Sequence, residues 1–287
     1  MIPALPQDLI DCIIDELGSQ GVSDPECRQA FMACSLASSS FLTLSRKHLF
    51  AKVQLKESHS KKDERLSALA RILDVPVEDS KINFMGRQIP PLASHIRTLS
   101  IILSPIPPYH LLYSQETLRR KSPSIFETLI ARSPIASFSL EIPNDGNLRD
   151  WMLVERQLKA GIESLCKMAS ITALRFRGIT GFPMTLITGC PNLKELSLHS
   201  IYPNTRTPGP FPQLESLAVG YAEPFLEFFH PPSLAKLRHI EFCVDAFRGT
   251  LSSEVLKIGP SLQSIRLKLY CFWPQGEHIV TISMMIE

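Results

Sequence analysis

The chain has 287 residues, 44% of them hydrophobic and 20% charged, with a formal net charge of +2. This composition supplies a sizeable core and excludes intrinsic disorder, and the near-neutral balance excludes the global basic field of a general nucleic-acid or membrane-surface binder. The seven cysteines are odd in number, scattered and without a Cys-x-x-Cys pair, which argues against a disulfide framework and leads us to expect reduced thiols in the cytoplasm or nucleus. Asp8, Asp11 and Asp15 interrupt the first apolar stretch, against a secretory signal, and no segment reads as a bilayer span.

In chain order, Pro6 suits the first turn of a helix, where its missing N–H is no loss, and Leu9, Ile10, Ile13, Ile14 and Leu17 then recur at helical spacing. Gly18 is placed to stop that helix, and Ser19 to Glu26, with Gly21 and Pro25, reads as a connecting loop. A second helix is expected over about Arg28 to Ser38, and a third amphipathic segment over Phe41 to Phe50. Val53 and Leu55 then alternate with polar residues as in a short strand. Three short helices bury little core by themselves, so their apolar residues ask for a partner surface.

From Leu5-Pro6-Gln7-Asp8-Leu9-Ile10 to Arg46-Lys47-His48-Leu49-Phe50, this opening stretch resembles an F-box. The resemblance implies docking on the Skp-type adaptor of cullin-RING ubiquitin ligases. Leu5, Pro6, Leu9, Ile10 and Ile13 would lie at or near the contact, with Leu36 and Phe41 supporting it from the later helices. Phe41 stands where many members of that family carry tryptophan. Leu36-Ala37-Ser38-Ser39-Ser40 stands where they more often show valine, cysteine or basic residues.

Beyond Leu55, apolar residues recur at the first, fourth and sixth places of a short segment, as in leucine-rich repeats. The copies are Ile96/Leu99/Ile101, Ile135/Phe138/Leu140, Ile171/Leu174/Phe176, Leu193/Leu196/Leu198, Leu214/Leu217/Val219, Leu237/Ile240/Phe242 and Leu262/Ile265/Leu267. Their starts advance by 39, 36, 22, 21, 23 and 25 residues; the last four steps are close to the period of such repeats, and the two longer ones leave room for a helix and extra loop. Cys190-Pro191-Asn192-Leu193-Lys194-Glu195-Leu196 resembles the start of a repeat strand in F-box relatives. Each copy would contribute one parallel strand whose inward residues stack on its neighbours. Returning helices are expected at Lys62 to Asp74, Ser124 to Ala131 and Leu148 to Met168. The apolar Leu269 to Trp273 and Ile282 to Ile286 have no polar capping repeat behind them, so the last residues fold back over the final repeat, the chain continues, or another chain pairs there.

No phosphate-cradling glycine loop, Gly-x-Ser-x-Gly elbow or His-Glu-x-x-His pattern is present, and the eight histidines are dispersed without metal-ligand spacing. We therefore expect no catalytic residue, no metal and no cofactor. Side chains alternate along a strand, so residues between the core positions face outward. Arg175, Arg177, His199, His239, Arg266 and Lys268 would form a mildly basic concave face for an acidic or phosphorylated protein segment, with Glu195 and Glu241 among them.

The fold class expected is α/β, a small helical F-box over residues 1–55 followed by a leucine-rich-repeat-like solenoid with parallel strands over 56–287, similar to divergent fungal proteins of that kind. The expected function is substrate recognition in a Skp-cullin-F-box ubiquitin ligase. Its partners would be a Skp-type adaptor, through it a cullin, and a target protein, with no nucleic acid and no membrane. The alternative is a repeat scaffold whose degenerate F-box has no ligase role.

Overall fold

The computed structural model describes residues 6–19, 24–56, 69, 73, 91–103, 125–143, 148–204, 210–220, 231–245, 261–273 and 276–285. Three helices open the chain, α1 (Gln7–Ser19), α2 (Pro25–Ala37) and α3 (Ser39–Phe50). Their shared core is small: Ile10, Ile14 and Phe31 are buried, with Leu17, Cys34, Phe41, Leu44 and Leu49 packed around them. α2 begins before the expected Arg28, because the Asp24 carboxylate accepts a hydrogen bond from the Glu26 N–H and Pro25 fills the first helical position. α3 begins at Ser39 rather than Phe41, since the Ser38 hydroxyl accepts from the Ser40 N–H.

Gly18 does not stop α1 but lies inside it. A Cβ there would fall within the imidazole of His48. That ring stacks on Phe31 with centroids 5.1 Å apart, and its Nε2 lies 2.7 Å from Oδ1 of Asp15, which also accepts from Lys47 Nζ at 3.1 Å. The hydrogen bond from His48, and then that from Lys47, hold the Asp15 carboxyl below its ordinary pKa.

Ten strands follow among the described residues: β1 (Lys52–Lys56), β2 (Thr98–Ile102), β3 (Ser137–Glu141), β4 (Arg149–Asp150), β5 (Ala173–Phe182), β6 (Glu195–Pro203), β7 (Ser216–Gly220), β8 (His239–Asp245), β9 (Ser264–Trp273) and β10 (Gly276–Met285). They form one sheet in the order β1-β2-β3-β5-β6-β7-β8-β9-β10, with β4 paired to β5 beyond the end of β3. The architecture is mixed α/β with a mostly parallel sheet and N-terminal helices. The strand read at Val53 and Leu55 is the first of this sheet, and α3 packs on the short turn Leu92–His95 that precedes β2.

The apolar triplets stand in strict register. One row across the sheet is Val53, Leu99, Phe138, Leu174, Leu196, Leu217, Ile240 and Ile265; the next is Leu55, Ile101, Leu140, Phe176, Leu198, Val219, Phe242 and Leu267. The leading residue of each triplet from Ile96 to Leu237 is buried beneath them. The reason is visible in the backbone. The carbonyls of Ala51, Arg97, Ala136, Thr172, Lys194, Glu215 and Arg238 each accept two N–H groups from the start of the following strand, so one turn geometry is copied from strand to strand. In the Cys190-Pro191-Asn192 segment, Asn192 Nδ2 donates to the Ala169 carbonyl at 2.7 Å and Cys190 Sγ reaches the Ile171 carbonyl at 3.7 Å.

Helices cover the core face. α4 (125–132) buries Ile125, Phe126 and Leu129, and α5 (Arg156–Cys166) buries Leu158, Ile162 and Leu165. The short α6 (Thr185–Thr188) and α7 (Pro231–Leu234) contribute Leu186, Ile187 and Leu234. Of the helix expected at 62–74, only Leu69 and Leu73 lie within the described residues, and both sit against this core.

Two further expectations need correction. The helix expected from Leu148 to Met168 is broken, because Arg149 and Asp150 pair with Ile179 and Thr180 as β4, and Asp150 then caps a single 3-10 turn through the Met152 N–H. Val154 is extended, and α5 restarts where Glu155 accepts from the Leu158 N–H at 3.0 Å. The strands are also not all parallel. β10 turns back and pairs antiparallel with the whole of β9, so the apolar C-terminal stretch is a hairpin along the sheet edge.

The register also contains a bend that the triplets do not show. Gly178 (φ 76°) and Ser200 (φ 52°) face each other in β5 and β6, both in the left-handed region, between the pairs Arg177/His199 and Ile179/Ile201. A left-handed residue breaks the two-residue alternation, which turns Ile179 and Ile201 into the core directly after it.

Candidate functional site

The face of the sheet opposite the helices is an open groove of about 930 Å³. Arg175, Arg177, Glu195, His199, His239, Glu241, Arg266 and Lys268 all line it, as outward positions of β5, β6, β8 and β9. Small polar and apolar residues make the floor, among them Ser100, Ser139, Ser197 and Ala218. Lys52 and Gln54 extend the groove to β1 and were missed because that strand was read with the helices. The alternation of Val53 and Leu55 already marked them as outward positions.

The charges are not spread as the sequence suggested. Glu241 is clamped between Lys268 Nζ at 2.6 Å and Arg266 at 3.4 Å, so those two cations share one carboxylate and are partly compensated. His239 Nδ1 shares a hydrogen bond with Ser264 Oγ at 2.8 Å. Burial, aided by the cations Arg177, Lys268 and Arg175 and opposed by Glu241, pushes the His199 pKa down to about 4, so it is neutral near pH 7. Arg175 and Arg177 are exposed and have no hydrogen bond or ion pair among the described residues. All six residues of the expected basic face line the groove, and Arg175 and Arg177 are the ones whose cations have no partner among the described residues.

On the N-terminal helices the expected contact residues divide. Leu9, Ile13 and Leu36 are 52%, 55% and 86% exposed, and Pro6 is exposed. Ile10 is buried and Phe41 half-buried in the helices' own core, where they hold the unit together. Leu5 lies outside the described residues. Met32, 51% exposed and one helical turn before Leu36, was overlooked; its i, i+4 spacing to Leu36 repeats that of Leu9 to Ile13. Together these leave four large apolar side chains uncovered on α1 and α2.

Burial pushes the Cys190 thiol up to about 11 and the Cys166 thiol higher still, which keeps both protonated and inert. Asp150 is engaged as a cap. No group of three or more His, Cys, Asp or Glu side chains among the described residues could hold a metal ion, and no helix there is long and apolar enough to cross a membrane. Compared with known proteins, the chain matches no family model, no curated protein and no solved structure.

Proposed function

We propose that this chain is the substrate-recognition subunit of a Skp-cullin-F-box ubiquitin ligase, in which the three N-terminal helices act as an F-box and the sheet with its covering helices acts as a leucine-rich-repeat-like solenoid. The helices dock on a Skp-type adaptor and through it a cullin. The groove holds a target protein, and ubiquitin is transferred by other subunits through proximity, with no chemistry in this chain. The observation that carries the reading is the exposure of Leu9, Ile13, Met32 and Leu36 on helices whose other faces already bury Ile10, Ile14 and Phe31. Apolar side chains uncovered in helical pairs are what a helix-in-groove contact uses.

The test is co-purification of the chain with a Skp-type adaptor, beside a Leu9→Asp, Ile13→Asp double variant. Both positions are about half exposed, so the variant should keep its far-UV circular dichroism. Capture of the wild type and its loss in the variant supports the reading. Absence of capture by the wild type removes the ligase role.

A further inference from the structure

We propose that the groove takes an extended segment of its target through a single acidic side chain seated between Arg175 and Arg177. This rests on the reading of the groove as the target-binding surface. The two arginines are i and i+2 on β5, a strand in the body of the sheet, so they project side by side about 6.6 Å apart. Their neighbours in register are Ser139 and Ser197 beside Arg175, and Glu141 and His199 beside Arg177. The serines beside Arg175 are short, and both arginines are exposed.

Among the cations of the groove, Lys52 stands alone on β1, whereas Arg175 and Arg177 are two exposed cations on one strand. Arg266 and Lys268 of β9 are both held by Glu241, at 3.4 and 2.6 Å, so their donors are already engaged and only one of their two charges is uncompensated. Arg175 and Arg177 are exposed and have no such partner among the described residues, and a planar guanidinium is suited to two-pronged hydrogen bonding of a carboxylate.

The surroundings also limit what can sit there. Glu141 is one strand to one side, directly beside Arg177, and Glu195 is one strand to the other side, beside Ala173. At strand spacings of about 4.8 Å these carboxylates repel a second acid placed next to the first. An isolated Asp or Glu flanked by neutral or basic residues therefore fits better than an acidic run. A phosphate fits less well for a related reason. Glu141 and Glu195 repel a phosphate dianion about twice as strongly as a singly charged carboxylate. The cost of desolvating an ion grows with the square of its charge, whereas attraction to a guanidinium grows only linearly.

The experiment is selection of a random displayed peptide library on the full chain, without adaptor, followed by affinity measurement on the selected peptides. Selected peptides should carry one recurrent Asp or Glu with no acidic neighbour. Replacing that residue by Asn, or making the Arg175→Ala, Arg177→Ala double variant, should weaken binding about tenfold or more. Arg266→Ala alone should change it less than about twofold, since that exposed side chain is already engaged by Glu241 and Lys268 stays to hold the carboxylate. The proposal is overturned if the library yields no acidic preference, if affinity survives loss of Arg175 and Arg177, or if phosphoserine in place of the acid tightens binding about tenfold. Because no adaptor is present, these outcomes are independent of the co-purification test: adaptor capture with no acidic preference removes this proposal and leaves the ligase reading standing.

Discussion

Gly18→Ala sets two physical effects against each other. Alanine is favoured over glycine inside a helix by about 1 kcal/mol, and somewhat less at Gly18, which is the last but one residue of α1. If Gly18 were only a helix stop, the variant would be neutral or slightly stabilised. In the structure, however, the added methyl would occupy the His48 ring. The imidazole has to move, with an overpacking cost of about 1–3 kcal/mol. Displacement also endangers its stack on Phe31, 5.1 Å between centroids and worth about 0.5–1.5 kcal/mol. The hydrogen bond to Asp15 at 2.7 Å adds about 0.5–1.5 kcal/mol. Net destabilisation of about 1–3 kcal/mol is expected. Urea unfolding by far-UV circular dichroism, with hydrogen exchange of the α1 amides to localise the effect, measures it. In a His48→Ala background the clash is gone and the same change should become neutral or stabilising, a coupling of about 2 kcal/mol or more. Stabilisation by Gly18→Ala in the otherwise wild-type chain would refute the packing argument.

The bend in β5 and β6 gives a pair of opposite expectations. Ser200→Gly should be neutral or stabilising by up to about 1 kcal/mol, because it relieves a left-handed non-glycine residue. Gly178→Ala should destabilise by about 2 kcal/mol, because a Cβ would meet the Ile142 carbonyl oxygen at 2.8 Å as well as carry the strain; chemical denaturation reads both. Phe176→Ala should cost about 3–5 kcal/mol in the same assay, since Phe176 is fully buried between Phe138 and Phe182. His199 supplies a pH dependence. Its folded pKa of about 4 lies below the unfolded value of about 6.5, so its contribution is complete above the unfolded value and is lost as pH falls through the folded one. Between pH 7 and pH 4.5 the wild type should lose about 2 kcal/mol more stability than His199→Gln, and equal losses would contradict the burial argument.

The sheet was legible because its periods are short and local. A strand that buries one face must repeat apolar residues every second position, and a chain that copies one turn must restart that pattern at similar intervals; Leu99, Phe138, Leu174 and Leu196 show both. The same alternation named Arg175, Arg177, Glu195, His199, His239, Glu241, Arg266 and Lys268 as outward positions, and they line one groove. Local capping was less legible. Asp150 and Glu155 each carry a capping side chain within a stretch of otherwise helical spacing, and the apolar periodicity across Leu148 to Met168 concealed the break.

Apart from the bend at Gly178 and Ser200, local sequence set which residues of a strand point inward and which outward, since alternation follows from backbone geometry. Only the tertiary structure decided what those residues meet. Gly18 is spaced like a helix stop, yet what constrains it is a ring 30 residues away in sequence. Ile10 and Leu9 are adjacent and equally apolar, but one closes the helices' core and the other is left uncovered. Arg266 and Lys268 read as cations like Arg175 and Arg177 until β8 brings Glu241 alongside them. The physical reason is common to all three: a side chain's period is a property of its own segment, whereas its packing partner and its net charge depend on which other segment lies within a few ångströms.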